Sequence, residues 1–128
     1  MPTSVVTGGA GFLGSHLCEA LCARGQRVIC VDNLETGTLA NLAHIPHATN
    51  LEFVSHDMIG HIEIDEPVDY VYHLAALASP IDYMRLPLHS LKVGSYGTHN
   101  ALGLAKHKRA RFVISSTSEV YGDRKSVV

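Results

Sequence analysis

Charge is scarce in this sequence. Only 17% of its 128 residues are charged, and the formal net charge is -2. A chain without a basic excess has nothing to draw it as a whole to nucleic acid or to an anionic membrane surface. Long hydrophobic runs are also missing: no stretch reaches the ~18 apolar residues that a bilayer-spanning helix needs. The chain runs from Met1 straight into a β-branched segment, without a basic leader or a cleavage site. The expectation is therefore a cytoplasmic protein with no signal peptide. Cysteine is sparse and odd in number. Cys18, Cys22 and Cys30 each sit inside an apolar segment. They read as small core residues in a reducing compartment, not as a disulfide framework. The nine histidines include His44 and His47 around Pro46, with no cysteine or carboxylate at a ligand spacing, so no metal site is expected.

What remains is apolar material in a definite order. Hydrophobic residues make up 46% of the chain, enough for one buried core. Residues 4–7 form a short apolar run ending in glycines, as a buried strand does. Residues 12–24 carry Phe12, Leu13, Leu17, Ala20 and Leu21 at helical spacing, with Gly25 where a helix would stop. Further strands are predicted over 27–31, running into Asp32, over 51–54, over 68–74 and over 111–115. Residues 58–67 read as a loop, with Ile62 and Ile64 alternating weakly. A long helix is predicted over about 87–106, and the cluster Lys106, Lys108, Arg109 and Arg111 suits its C-terminal dipole. Strands that are nearly continuous in apolar residues and alternate with helices predict a Rossmann-type α/β fold, a doubly wound parallel sheet of about five strands.

One motif carries chemistry. Thr7-Gly8-Gly9-Ala10-Gly11-Phe12-Leu13-Gly14 lies between the first strand and the first helix. In that context one glycine makes the tight turn, a second lets the backbone approach a pyrophosphate, and a third lets helix and strand pack closely. The helix start then offers free N–H groups and a positive dipole end to phosphate. Asp32 ends the second strand, and no arginine follows it at once. A carboxylate there accepts hydrogen bonds from ribose hydroxyls and repels a 2′-phosphate, so the expected cofactor is NAD and not NADP.

Five segments together resemble the extended short-chain dehydrogenases, the NAD-dependent epimerases, dehydratases and decarboxylases of nucleotide sugars. They are the glycine motif, Asp32-Asn33, His56-Asp57, His73-Leu74-Ala75-Ala76, and Ser115-Ser116-Thr117-Ser118-Glu119-Val120-Tyr121-Gly122. Within that family the chain looks most like the UDP-glucuronate decarboxylases, through Ala78-Ser79-Pro80 with Tyr83, Gly103-Leu104-Ala105-Lys106, and Thr117 to Asp123.

The resemblance implies roles. Gly8, Gly11, Phe12, Leu13 and Gly14 would line the NAD pyrophosphate. Asp32, Asn33 and Thr36 would hold the adenosine ribose, and Asp57 and Met58 would meet the adenine. Leu74 and Ala76 would pack along the cofactor, with Ser115 beside its nicotinamide half. Lys92 and Asn100 would touch the UDP-sugar, UDP-glucuronate in the first instance. Thr117 would bind the sugar hydroxyl being oxidised, and Glu119 would stand near the substrate carboxylate. A homodimer is implied as well.

The reaction so implied oxidises the sugar at C4, loses CO2 from the resulting β-keto acid and reduces the ketone again. A UDP-sugar 4-epimerase and a dTDP-glucose-type 4,6-dehydratase are the rival activities. Ser118 counts against dehydration, because dehydratases carry an acid there. The rival from another class is a catalytically inactive NAD-binding fragment.

Two departures stand out. The family has a Tyr-x-x-x-Lys pair on a later helix, and this chain does not reach it. Tyr121 to Lys125 fits by letters only, since Gly122-Asp123 reads as a turn. Residues 1–123 thus read as the N-terminal portion of an NAD-binding domain and 124–128 as a divergent or truncated tail, expected to be inactive and self-associating alone. The second departure is Gly94, which stands where the family has asparagine.

Overall fold

The computed structural model describes residues 1–34, 38–43, 45, 50–74 and 93–115. Five strands form one parallel sheet in the order β3-β2-β1-β4-β5. They are β1 (Thr3–Thr7), β2 (Arg27–Asp32), β3 (Leu51–Ser55), β4 (Tyr70–His73) and β5 (Arg111–Ile114). Helix α1 (Phe12–Ala23) follows β1, and helix α2 (Thr98–Lys108) precedes β5. This is the doubly wound Rossmann-type sheet that the alternation of apolar runs predicts. The strand order reverses between β1 and β4, and ligands of such sheets bind at that switch, outside the carboxyl ends of the strands. Register aligns Thr7 with Val31 and with His73, Asp32 with Ser55, and His73 with Ile114, so these strand ends share one edge.

The central strands β1 and β2 are buried on both faces, and the strand period of two divides the apolar residues between two cores. Val5, Ile29, Val31 and Val71 face one side, with Ala101, Leu104 and Ala105 of α2 and with Met58, Ile62 and Val68. Val6, Val28 and Cys30 face the other, with Cys18, Leu21 and Cys22 of α1. All three cysteines are thus buried free thiols. Cys30 beside it and its burial push the Cys18 thiol up, which keeps it protonated and unreactive. Ile62 and Ile64 form no strand: Ile62 is buried in the first core and Ile64 packs against it. At the far end Arg27 joins β2 to β3 and to the following loop, through Glu52 and through both oxygens of Glu66.

The long helix departs from its sequence pattern. Residues 87–92 lie outside the described residues, and Val93–Gly97 form a π-helical turn that leads into α2. Gly94 and Gly97 give up roughly 1 kcal/mol each of helix propensity relative to alanine, so the regular ladder is weak where they stand.

The two helices end alike. Gln26 N–H bonds Leu21 O and Ala110 N–H bonds Ala105 O, each wrapping a residue of positive φ. In α1 that residue is Gly25, at φ 76°; in α2 it is Arg109, at φ 54°. A side chain in the left-handed region is strained. Arg109→Gly is therefore expected to stabilise the chain by about 0.5–1 kcal/mol, read as a higher urea midpoint. An unchanged or lower midpoint would mean that the cation's interaction with the helix dipole outweighs the strain.

Candidate dinucleotide site

The phosphate loop is built by close approach. An ideal Cβ on Gly14 would lie 2.1 Å from the carbonyl oxygen of Gly8 and 2.8 Å from the Cα of Gly9. On Gly9 it would lie 2.3 Å from Cys30 Sγ. Only hydrogen fits at either place. The loop is also tied to the sheet, since Gly8 N–H donates to Val31 O (2.7 Å) and Gly11 N–H returns to Gly8 O (3.1 Å). Gly11 is the N-cap of α1, contributes no capping side chain, and is followed by no acidic residue in the first turn. The first-turn N–H groups thus keep their capacity for an anion. Phe12 and Leu13 are 72% and 65% exposed, an apolar lip on this opening.

Asp32 stands beside the loop with 9% of its surface exposed. Its Oδ2 accepts Ala10 N–H (3.0 Å) and its Oδ1 accepts Leu34 N–H (2.8 Å). A carboxylate has about four acceptor positions, so these two bonds among the described residues leave capacity for ligand hydroxyls. Leu34 takes a φ of 63°, a left-handed conformation held by that hydrogen bond. Asn33, between them, is exposed.

The next wall is the loop after β3. His56 N–H bonds Asp32 O (3.1 Å), which places the loop against the carboxylate. Asp57 Oδ1 accepts Ile59 N–H (3.1 Å). Met58 turns its side chain, 3% exposed, into the first core. The Asn100 amide, which the resemblance gives to the UDP-sugar, donates to Met58 O (2.7 Å) and to Gly60 O (2.9 Å).

At the switch point a buried chain of polar groups links three elements. Leu74 N–H bonds Thr7 Oγ1 (3.1 Å), Thr7 Oγ1 is 2.7 Å from His73 Nδ1, and His73 Nε2 is 3.4 Å from Thr98 Oγ1 on α2. Hydroxyls can give or take a proton, so a neutral imidazole is satisfied on both nitrogens. Burial holds the His73 pKa below the usual 6.5.

Below pH 6.5 the unfolded ring takes a proton that the folded ring resists, so this stabilisation is complete above 6.5 and is lost as pH falls toward the lower folded value. The slope is at most about 1.4 kcal/mol per pH unit. Glu66, lowered by Arg27, titrates further down, below its usual 4.5. Urea midpoints measured between pH 7.5 and 5 should therefore fall with pH, and His73→Gln should flatten that fall. An equal fall in the variant would place the dependence elsewhere.

The model of the NAD dependent epimerase/dehydratase family matches residues 4–127. The chain belongs to this family. UDP-glucuronic acid decarboxylase 4 of Arabidopsis thaliana is 51% identical over 119 residues, a match that covers 93% of this chain and 26% of that protein. Among solved structures, a UDP-N-acetylglucosamine 4-epimerase from Methanobrevibacter ruminantium M1 superposes with a TM-score of 0.82 at 32% identity, over 98% of this chain and 41% of that one. A UDP-glucose-4-epimerase from Stenotrophomonas maltophila, solved with bound NAD and formylated UDP-arabinopyranose, gives 0.80 at 30% identity, over 97% and 39%. The chain thus spans well under half the length of the relatives it matches.

In this family member the residues assigned to the cofactor's adenosine and pyrophosphate side gather at one edge: Gly8, Gly11, Phe12, Leu13, Gly14, Asp32, Asn33, Asp57 and Met58. Leu74 joins them through Thr7, and Ser115 N–H reaches His73 O at 3.3 Å. Thr36, Ala76, Lys92, Thr117 and Glu119 lie outside the described residues, as do Tyr121 and Lys125. The sequence reading did not single out Thr38 and Asn41. Thr38 N–H (3.1 Å) and Asn41 Nδ2 (2.8 Å) both donate to Ala10 O, bracing the phosphate loop from outside. An asparagine on a short 3-10 turn (Leu39–Asn41), some 30 residues from its target, gives no periodic signal. The residues present fit a dinucleotide: the cradle excludes a Cβ at Gly9 and Gly14, the helix start is uncapped, and a buried carboxylate ends the neighbouring strand. A shallow surface depression lies at the other end of the sheet, lined by Met1, Pro2, Asp69 and Tyr70. It is at the amino ends of β1 and β4, away from the switch point.

Proposed function

We propose that this chain is the NAD-binding part of a nucleotide-sugar enzyme, nearest in chemistry to the UDP-glucuronate decarboxylases. The observation that carries the cofactor reading is Asp32, buried, holding Ala10 N–H and Leu34 N–H at the lip of a cradle that admits only glycine. Its charge favours ribose hydroxyls and opposes a 2′-phosphate. When bound, NAD supplies a hydride acceptor for a sugar hydroxyl and a hydride donor afterwards. The chain's own residues bind and orient it. The first turn of α1 meets phosphate, Asp32 the adenosine ribose, and the 56–60 loop the base. Thr117 and Glu119 are proposed to face the sugar.

The substrate reading rests on the 51% identity to a UDP-glucuronic acid decarboxylase. The solved epimerases at 30–32% identity favour a second reading, a UDP-sugar 4-epimerase. The two separate cleanly with UDP-glucuronate labelled at its carboxylate. A polypeptide that carries this segment together with a Tyr-x-x-x-Lys pair should release labelled CO2, while residues 1–128 alone should bind NAD and release none. Formation of a C4 epimer without CO2 would reassign the protein to the epimerases. Steady CO2 release from the 128 residues would overturn the assignment of proton transfer to a pair outside them.

A further inference from the structure

Three features outside the glycine cradle invite a role: the Cys18–Cys30 pair beneath Gly9, the His73 chain, and Asn100. The thiols are fully buried and the histidine is engaged on both sides. Asn100 is different, because its contacts converge on a loop that borders the site without being tied to it by secondary structure.

Asn100 lies in the first turns of α2, more than 40 residues beyond the loop it contacts. It sends both hydrogens of one amide to two carbonyls of the turn after β3, at 2.7 Å and 2.9 Å. Gly60 O is shared with His56 Nε2 at 3.1 Å, so the turn is closed from inside by histidine and from outside by asparagine. Gly60 N–H bonds Asp57 O (3.0 Å), and Asp57 Oδ1 is taken by Ile59 N–H. The Asp57 carboxylate is thereby held by the N–H of the Met58–Ile59 peptide group, the same group whose carbonyl Asn100 clamps. The other end of the loop is pinned to Asp32. A backbone turn with no ladder of its own is mobile unless side chains supply partners.

We infer that Asn100 is a positioning residue for recognition of the cofactor's base: by clamping Met58 and Gly60 it aims Asp57 at an exocyclic amine. The inference rests on the cofactor reading proposed above. A carboxylate so held accepts a hydrogen bond from the amino group of adenine and faces the carbonyl of hypoxanthine as acceptor against acceptor. Base choice, and not overall affinity, is what the clamp controls. Asparagine is suited to this task because one planar amide nitrogen gives two donors to two separate carbonyls; aspartate, its isostere, gives none and repels both carbonyls.

The test is calorimetric titration of the unmutated 128-residue chain, Asn100→Ala and Asn100→Asp with NAD and with nicotinamide hypoxanthine dinucleotide. The unmutated chain should prefer NAD by about tenfold, the worth of one hydrogen bond to a charged acceptor. Both variants should bind the two dinucleotides within about twofold of each other, with affinity for the hypoxanthine analogue unchanged. A loss of affinity for both, at a constant ratio, would show a merely structural role and overturn the inference. So would an unchanged preference. If the variants do not fold, hydrogen exchange on the unmutated chain decides: NAD should protect the amides of Ile59 and Gly60 more than the hypoxanthine analogue does, and equal protection overturns the inference. Absence of any NAD binding to the unmutated chain would instead remove the cofactor reading itself.

Discussion

Gly14→Ala should abolish measurable NAD binding and cost about 3 kcal/mol of stability, the upper range for overpacking a close contact. The Cβ would enter 2.1 Å from Gly8 O and 2.8 Å from Gly8 C and Gly9 Cα. All three are backbone atoms of the phosphate loop, which cannot rotate aside as a side chain can. The loop must move outward, and the helix start moves with it. A loss of binding of at least ~100-fold follows if two phosphate contacts are misplaced. Gly9→Ala provides the internal comparison. There the obstacle is Cys30 Sγ at 2.3 Å, with Cys30 Cβ at 3.2 Å. Trimming the sulfur by Cys30→Ala should recover part of the stability lost in Gly9→Ala, a coupling of about 1 kcal/mol or more in a double-mutant cycle. The same trimming should do nothing for Gly14→Ala. Urea denaturation and NAD titration of Gly9→Ala, Gly14→Ala, Cys30→Ala and the two double variants check both statements. Near-normal NAD affinity in Gly14→Ala would mean that the loop is looser than its packing indicates.

Asp32→Asn has the second-largest expected effect: a ten- to hundredfold loss of NAD affinity, equivalent to about 1.5–3 kcal/mol for hydrogen bonds to a charged group. The carboxylate accepts two backbone N–H groups, one on each oxygen. An amide can keep one of them and must turn its own N–H groups toward the other. Two ligand hydroxyls also lose an ionised acceptor. The variant carries a second signature. Removing the negative charge removes the repulsion of a 2′-phosphate, so NADP binding should fall less than NAD binding and the preference should narrow. Titration with both dinucleotides separates these terms. If both affinities fell by the same factor, Asp32 would act only as a brace for Ala10 and Leu34.

What the sequence made legible is what is local. The apolar runs give all five strands to within one or two residues, most directly β1 and β2, which are buried on both faces; the edge strands β3 and β5 are half-exposed, and their apolar residues still mark them. The glycine motif and Asp32 are legible because a strand end, a tight turn and a helix start follow one another within the chain. The contacts that complete the site are not local. Thr7 and His73 are 66 residues apart, and Asn100 is 42 from Met58. No period or spacing encodes such pairs; they exist only once β1, β4 and α2 are stacked. The resemblance placed Asn100 by position in a motif, and its hydrogen-bond partners emerge only in three dimensions. The predicted helix over 87–106 shows a different limit. Apolar spacing runs through Gly94 and Gly97 without interruption, while the backbone there takes a π-helical turn before α2 begins.

The cofactor reading underlies every functional statement made of this chain, and one titration addresses it directly. Amide chemical shifts of the 128-residue chain should be followed by NMR as NAD is added. The account predicts shifts concentrated at residues 8–14, 32–34 and 57–60, the carboxyl edge of β1, β2 and β3, with NADP producing weaker changes at the same amides. Shifts confined to the opposite end, around Met1, Pro2, Asp69 and Tyr70, or no shifts at millimolar NAD, would contradict it.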